Sequence, residues 1–280
     1  MTDTENTSQV WFITGASSGF GRSLAEELLE QGQRVVAAAR NTGALAELVA
    51  RAPERVLPLA LDVTDAQRVD AALARAYEHF GRVDVLVNNA GFSIIGAVEE
   101  TDEATLRDTL ETMFFGPARL TKAVLPRMRA AGHGTIVQIS SVGGFITAPG
   151  FSAYCAAKHA LEAYSEALSA EVGPHGIRVL IVEPGAFRTA LFGSAFRAMP
   201  ALPSYEATVG ATRKYVADSA GKQPGDPGKA ARAIIASVRA ETAPLRLPLG
   251  PDAIDGIRAK LERVATDVAQ SEAVARAAVY

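Results

Sequence analysis

Val10-Trp11-Phe12-Ile13-Thr14 runs straight into Gly15-Ala16-Ser17-Ser18-Gly19-Phe20-Gly21. The first five residues are apolar or β-branched without alternation, which reads as a strand covered on both faces, the kind a parallel sheet contains. The glycines that follow let the backbone turn sharply and bring a helix N-terminus close to negative charge with no Cβ in the way. The helix predicted next, Phe20 to Gln31, sets Leu24 and Leu28 one turn apart, and Gly32 follows as its stop. Strand, glycine turn and helix in that order fit the pyrophosphate of a dinucleotide; the plainer reading is a tight turn that holds no ligand.

Outward from this unit the same alternation continues. Arg34 to Ala39, Val56 to Leu61, Val83 to Asn88, Thr135 to Ser140, Ile177 to Val182 and Leu245 to Leu249 read as six further strands. Helical patterns over Asp65 to Phe80, Asp102 to Ala130, Ser152 to Val172, Asp226 to Glu241 and Pro251 to Ala275 separate most of them. Alternating strands and helices predict βαβ units, hence an α/β fold: a doubly wound sheet of about seven parallel strands with helices on both faces. Between Phe187 and Gln223, glycine, proline and aromatic residues break any period, and a loop of that length is usually functional or mobile. No repeat or linker divides the chain, so residues 10–280 are expected to form a single domain, with a frayed tail over residues 1–9.

Composition narrows the function classes. Lys and Arg total 28 against 31 Asp and Glu, so no positive field exists to hold a nucleic acid backbone. One cysteine, Cys155, cannot form an internal disulfide, and four scattered histidines make no metal signature, so no metal site is expected. No apolar run approaches the roughly eighteen residues that cross a bilayer. Met1 to Gln9 lacks the basic-then-apolar order of a secretory signal, and a cytoplasmic location is expected.

Two positions bear on which dinucleotide is held. An acidic residue closing the second strand would hydrogen-bond a ribose 2′-hydroxyl and repel a 2′-phosphate. Arg40 stands there instead, and a charge-assisted contact of about 1.5–3 kcal/mol corresponds to a preference for NADP over NAD of about 10- to 150-fold. A solvated surface arginine is the alternative. Asp62, after the third strand, is placed either to accept from an adenine amino group or to cap the next helix.

Ser140-Ser141 ends the fifth strand, and Tyr154 and Lys158 stand four positions apart on the helix after it, on one face. A tyrosine of pKa about 10 is a poor base at neutral pH, and a neighbouring ammonium ion would favour its phenolate. Ser141 would bond the substrate oxygen while Tyr154 moves the proton, an arrangement worth about 10²–10⁴-fold. Such pairs also occur by chance on exposed helices. The serine at a carboxyl strand edge and the glycine turn upstream favour the chemical reading.

With these motifs in order, the chain resembles the short-chain dehydrogenase/reductase superfamily over Val10 to Leu249. Thr14 to Gly21 is similar to the family's TGxxxGxG turn, Asn88-Asn89-Ala90-Gly91 to its NNAG segment, Tyr154 to Lys158 to its YxxxK and Pro184-Gly185 to its PG turn. The resemblance implies a Rossmann fold and hydride transfer between a nicotinamide and an alcohol or carbonyl. It implies Tyr154 as general acid or base, Lys158 on the nicotinamide ribose and Ser141 on the substrate. The cofactor residues it implies are Gly15, Ser17, Ser18, Gly19, Phe20, Gly21, Arg40, Asp62, Val63, Asn89, Ala90, Gly91, Pro184, Gly185, Phe187 and Thr189, with Asn88 lining the cleft near the adenosine ribose and Thr189 on the carboxamide. Arg40 agrees with members that prefer NADP(H). One position departs: Met113, three residues before Gly116, stands where the family carries an asparagine that holds a relay water, and a thioether is only a weak acceptor. Either the relay is rerouted or slow, or turnover is lost and the protein binds or senses NADP.

Phe187, Leu191, Phe192, Phe196, Met199, Leu202 and Tyr205 populate the irregular segment, which in the family folds over the substrate, and Phe145 and Ile146 are expected as the opposite wall. The group favours a small hydrophobic ketone, aldehyde or secondary alcohol. Cys155 has no partner base nearby in sequence and reads as packing. An epimerase or dehydratase that retains its cofactor would share the serine, tyrosine and lysine. The family also implies a homodimer or homotetramer joined through Asp102 to Ala130 and Ser152 to Val172, with Pro251 to Tyr280 packing on its own subunit or a neighbour.

Overall fold

In a computed structural model that describes residues 8–280, the chain begins in the middle of its sheet. Strand β1 (Val10–Thr14) leads through α1 (Gly19–Glu30) to β2 (Arg34–Ala39), then through the short α2 (Ala46–Arg51) to β3 (Val56–Ala60). After α3 (Ala66–Phe80) the chain returns to the other side of β1 as β4 (Val85–Asn88), followed by β5 (Ser93–Ile95), α4 (Glu103–Leu110), α5 (Gly116–Ala131) and β6 (Gly134–Ile139). Helix α6 (Ser152–Val172), β7 (Ile177–Pro184), β8 (Phe196–Ala198), α7 (Glu206–Ser219), α8 (Pro227–Arg239), β9 (Arg246–Leu249) and α9 (Pro251–Arg276) complete the order. The main sheet has seven parallel strands in the order β3-β2-β1-β4-β6-β7-β9, so successive strands are added first on one side of β1 and then, from β4, on the other. Ligands of open α/β sheets sit in the crevice at the carboxyl ends of strands flanking such a point.

Both faces of this sheet are covered. Trp11 and Ile13 point to one side, with Leu24 and Leu28 of α1 and Ile234 and Val238 of α8. Val10 and Phe12 point to the other, with Leu73 of α3, Leu120 and Val124 of α5 and Leu168 of α6. Period two in β1 and period 3.6 in the helices thus give two buried layers. The helix ends follow side-chain chemistry: Asp65 accepts from the amides of Gln67 and Arg68 at 3.1 Å, and Gly81, at φ 77°, ends α3 in the left-handed region.

Several boundaries differ from the sequence reading. The expected tail over residues 1–9 falls on residues 1–7, which lie outside the described residues, and on Ser8 and Gln9, which are held. Gln9 donates to Gln33 Oε1 at 2.8 Å and its carbonyl accepts from the Arg34 amide at 3.0 Å. The single helix expected over Asp102 to Ala130 is two, joined by a π-helical turn over Glu111–Phe115, where an extra residue slips the helical period. The segment expected to be irregular contains α7, and β8 pairs in parallel with β5 as a second, two-stranded sheet. No helix among the described residues is long and apolar enough to cross a membrane.

Candidate active site

The carboxyl edge of the sheet surrounds a cavity of about 480 Å³ between the β1–α1 turn and the segment after β7. Thr14 fixes one side of it. Its hydroxyl accepts from the amides of Asn89 and Ala90 at 2.9 and 3.0 Å, and Asn89 Nδ2 donates back to the carbonyl of Thr14 at 2.9 Å. The turn itself needs its glycines. Gly15 and Gly19 hold φ of 65° and 55°, and a Cβ on Gly21 would lie 2.5 Å from Asn89 Nδ2 and from the Gly15 carbonyl oxygen. Helix α1 then begins with no acidic residue in its first turn and no side chain capping its amides, so its positive end faces the cavity.

Of the residues named from sequence, Gly15, Ser17, Ser18, Gly19, Phe20, Arg40, Asp62, Val63, Asn89, Ala90, Gly91, Pro184, Gly185, Phe187 and Thr189 line this cavity together with Ser141, Tyr154 and Lys158. Two differ. Gly21 is not part of the wall and acts by close packing behind it. Asn88 does not line the cleft: it is buried and donates to Gln138 Oε1 at 3.0 Å and Thr121 Oγ1 at 3.2 Å, tying β4 to β6 and α5. Arg40 is exposed at the end of β2. Burial alone would raise the Asp62 carboxyl, but the amide and hydroxyl of Thr64, and then the Arg40 charge, hold it below its usual range. Asp62 accepts from Thr64 at 3.0 and 2.8 Å, and Asp65 rather than Asp62 caps α3.

The end of β6 meets α6 at the cavity floor. Tyr154 is buried and lies beside Ser141, while Lys158 Nζ donates to the Ile139 carbonyl at 2.7 Å and stands 5.9 Å from the centre of the Tyr154 ring. The pKa direction reverses the sequence expectation. Burial pushes the Tyr154 phenol up to about 12, against a smaller lowering by the Ser141 hydrogen bond. Burial likewise lowers Lys158 to about 8, against the Glu162 charge that favours its ammonium form. The phenol keeps its proton, because the cost of removing a charged form from water outweighs the lowering by Ser141.

Met113 lies in the cavity wall at the π-helical turn, buried and packed against Gly91. Of the expected lid residues, Phe187, Leu191 and Phe192 line the cavity, whereas Phe196, Met199, Leu202 and Tyr205 do not. Phe145 and Ile146 do not form the opposite wall. Phe145 faces the Arg246 guanidinium at 5.3 Å, and Ile146 packs towards Gly256 of α9. Sequence reasoning missed Phe92, Arg197 and Gln223 in the wall. Arg197 lies 3.6 Å over the Phe92 ring, brought there by the β5–β8 pairing. Gln223 is buried with Oε1 unpartnered among the described residues. The glycine cradle and the open helix end fit an anionic group and the orphaned acceptor a hydrogen-bond donor, and a nicotinamide dinucleotide carries both.

Comparison with known proteins agrees with this geometry. The family profile described as short chain dehydrogenase matches residues 9–200. Oxidoreductase BOA17 of Botryotinia fuckeliana is 41% identical over 248 residues, covering 88% of this chain and 90% of that protein. A crystal structure of a short-chain dehydrogenase from Streptomyces avermitilis is 50% identical, covers 100% of both chains and superposes with a TM-score of 0.93. An alcohol dehydrogenase from the archaeon Thermococcus sibiricus, complexed with 5-hydroxy-NADP, is 26% identical with a TM-score of 0.70, covering 86% of this chain and 95% of that one. The chain belongs to the short-chain dehydrogenase family of oxidoreductases.

Proposed function

We propose that this protein is an NADP(H)-dependent oxidoreductase that interconverts an apolar ketone or aldehyde with its alcohol. The observation that carries the reading is that Ser141, Tyr154 and Lys158 line the same cavity as the glycine turn and Arg40. The amides at the start of α1 would hold the pyrophosphate, Arg40 the 2′-phosphate, Asp62 and Val63 the adenine end, and Asn89, Ala90, Gly91, Pro184, Gly185 and Phe187 the faces between. Lys158 would bind the nicotinamide ribose and Thr189 the carboxamide. When bound, the nicotinamide supplies or accepts the hydride.

The chain's own residues handle the proton. In the reducing direction a phenol held up to about 12 is protonated at neutral pH, and Tyr154 donates to the carbonyl oxygen while the Ser141 hydroxyl bonds the same atom. In the oxidising direction Tyr154 accepts the alcohol proton, a step that needs positive charge beside the phenol, which Lys158 as an ammonium ion contributes. Met113, Leu191 and Phe192 add apolar lining to the cavity, which supports an apolar substrate. A cytoplasmic location and a homodimer or homotetramer through α4–α5 and α6 belong to the same reading. Leu106 and Phe115, 37% and 45% exposed, are the apolar residues that such an interface would cover.

The test is NADPH consumption with a panel of apolar ketones, using Tyr154→Phe as the control. Expected is turnover that falls about 10²–10⁴-fold in the variant. Tight NADPH binding without turnover on any member would favour a binding or sensing protein, the reading that Met113 supports. Activity without net NADPH consumption would favour an epimerase or dehydratase.

A further inference from the structure

Tyr154, Lys158 and Glu162 succeed one another at four-residue steps and form one stripe on α6. The end of β6 meets all three: Ser141 lies beside Tyr154, the Ile139 carbonyl accepts from Lys158, and Ser140 Oγ donates to Glu162 Oε1 at 2.6 Å. Glu162 is only 3% exposed. Behind it, Arg246 of β9 donates through one guanidinium nitrogen to both Glu162 and Glu183 and through the other to Glu166. Among the described residues, the charged groups facing Glu162 are therefore Lys158 and Glu166 on its own helix, Glu183 on β7 and Arg246 on β9.

The local fit is built for this carboxylate. A Cβ on Gly144 would lie 2.1 Å from Glu162 Oε1 and 2.4 Å from Ser140 Oγ, so a residue with any side chain would part the two. A buried carboxylate is costly unless it is paired and hydrogen-bonded, and here Ser140 and Arg246 satisfy both of its oxygens.

We propose that Glu162 is a positioning residue for the active site: its carboxylate, anchored by Ser140 and Arg246, keeps Lys158 an ammonium ion and so sets the pH above which the site stops working. This rests on the reading of Tyr154 and Lys158 given above. An ammonium group has three donors, of which one is spent on the Ile139 carbonyl, leaving the others for the cavity. Lys158 sits near 8 because burial lowers it and Glu162 opposes that lowering. Glu183 shares the same guanidinium, and burial, followed by the Glu162 charge, pushes its carboxyl well above the usual range. It takes no part in the Lys158 shift.

The experiment follows the lysine side-chain signals by NMR titration in the cofactor-free protein, with the Lys158 signal assigned by its loss in Lys158→Arg. The pH profile of kcat/KM is recorded in parallel. The wild type is expected to titrate near 8. Glu162→Gln should move that midpoint, and the basic limb of the profile, about one unit or more to lower pH. Glu183→Gln breaks a bond to the same Arg246 nitrogen and should leave both in place. An unmoved midpoint in Glu162→Gln overturns the proposal, and so does an equal shift in Glu183→Gln, which would mark a general loss of structure. Should Glu162→Gln not fold, Glu162→Asp draws the carboxylate back and must shift the midpoint the same way by less; no shift there is equally fatal. The titration is read without turnover, so an active Tyr154→Phe would refute the catalytic reading alone, and an unshifted Glu162→Gln the present one alone.

Discussion

Replacing Arg40 by alanine tests the cofactor preference at a single side chain. Arg40 follows β2, lines the cavity and is exposed, and its charge acts on Asp62, which lines the same cavity. A sheltered charge-assisted bond contributes about 1.5–3 kcal/mol, and solvent at an exposed guanidinium puts this contact at the lower end, about tenfold in affinity. Arg40→Ala also leaves Asp62 facing a phosphate with less opposing charge, which acts in the same direction. The expected outcome is a KM for NADPH raised about tenfold or somewhat more, with the KM for NADH changed less than about twofold and kcat kept with either cofactor, because the change lies at the far end from the chemistry. Raising ionic strength from 0.1 to 1 M shortens the screening length from about 10 to about 3 Å and should narrow the wild-type preference while leaving the variant's ratio nearly flat. Steady-state kinetics with both cofactors at two salt concentrations provide the assay. An unchanged ratio of kcat/KM for NADPH and NADH in Arg40→Ala would refute the assignment, since the arginine would then be a solvated surface residue.

Met113→Asn should raise the rate of ketone reduction if proton supply limits turnover, at the cost of a lower melting temperature because an amide enters a site only 1% exposed; a rate that stays level or drops removes Met113 from the account of turnover. Gly21→Ala puts a methyl group 2.5 Å from Asn89 Nδ2 and the Gly15 carbonyl oxygen. Overpacking of this kind costs about 1–3 kcal/mol, so the melting temperature and NADPH affinity by fluorescence titration should fall together. Phe115→Glu places a charge on a side chain 45% exposed at the α4–α5 junction; light scattering should report a smaller assembly than the wild type, and an unchanged mass would put any interface elsewhere.

What the sequence made legible is what local spacing encodes. Val10 to Gly21 contains a strand, a turn and a helix start within twelve consecutive positions, and Tyr154 and Lys158 need only the helical repeat to share a face. Helix α7 escaped because only Val209 and Val216 of its fourteen residues are buried, too few to mark a period. The π-helical turn escaped for the opposite reason: its extra residue sits inside a convincing helical pattern and leaves no signal of its own. Arg197 and Gln223 reach the cavity only through β5–β8 pairing and the bridge between Phe187 and Gly225, contacts between segments far apart in sequence.

The electrostatics were the least legible part, and the reason is physical. Reading Lys158 beside Tyr154 gives the sign of a Coulomb interaction, but the sign of the pKa shift depends on how much water each group has lost, which is a property of the packed core. Burial wins at Tyr154, so the phenol is protonated, and the charge that matters most to Lys158 comes from Glu162, whose anchor Arg246 lies 84 residues away in the chain. The same dependence on packing separates the two adjacent serines. Ser140 and Ser141 are chemically identical and follow the same strand, yet extended backbone sends successive side chains to opposite sides, so Ser141 meets Tyr154 while Ser140 meets Glu162. A slip of one residue in the β6 register that put Ser141 in the place of Ser140, towards the buried carboxylates, would leave Val142 rather than a serine beside the phenol. The register of β6 between β4 and β7, fixed by six pairings with β7 and four with β4, is therefore what assigns each hydroxyl its partner.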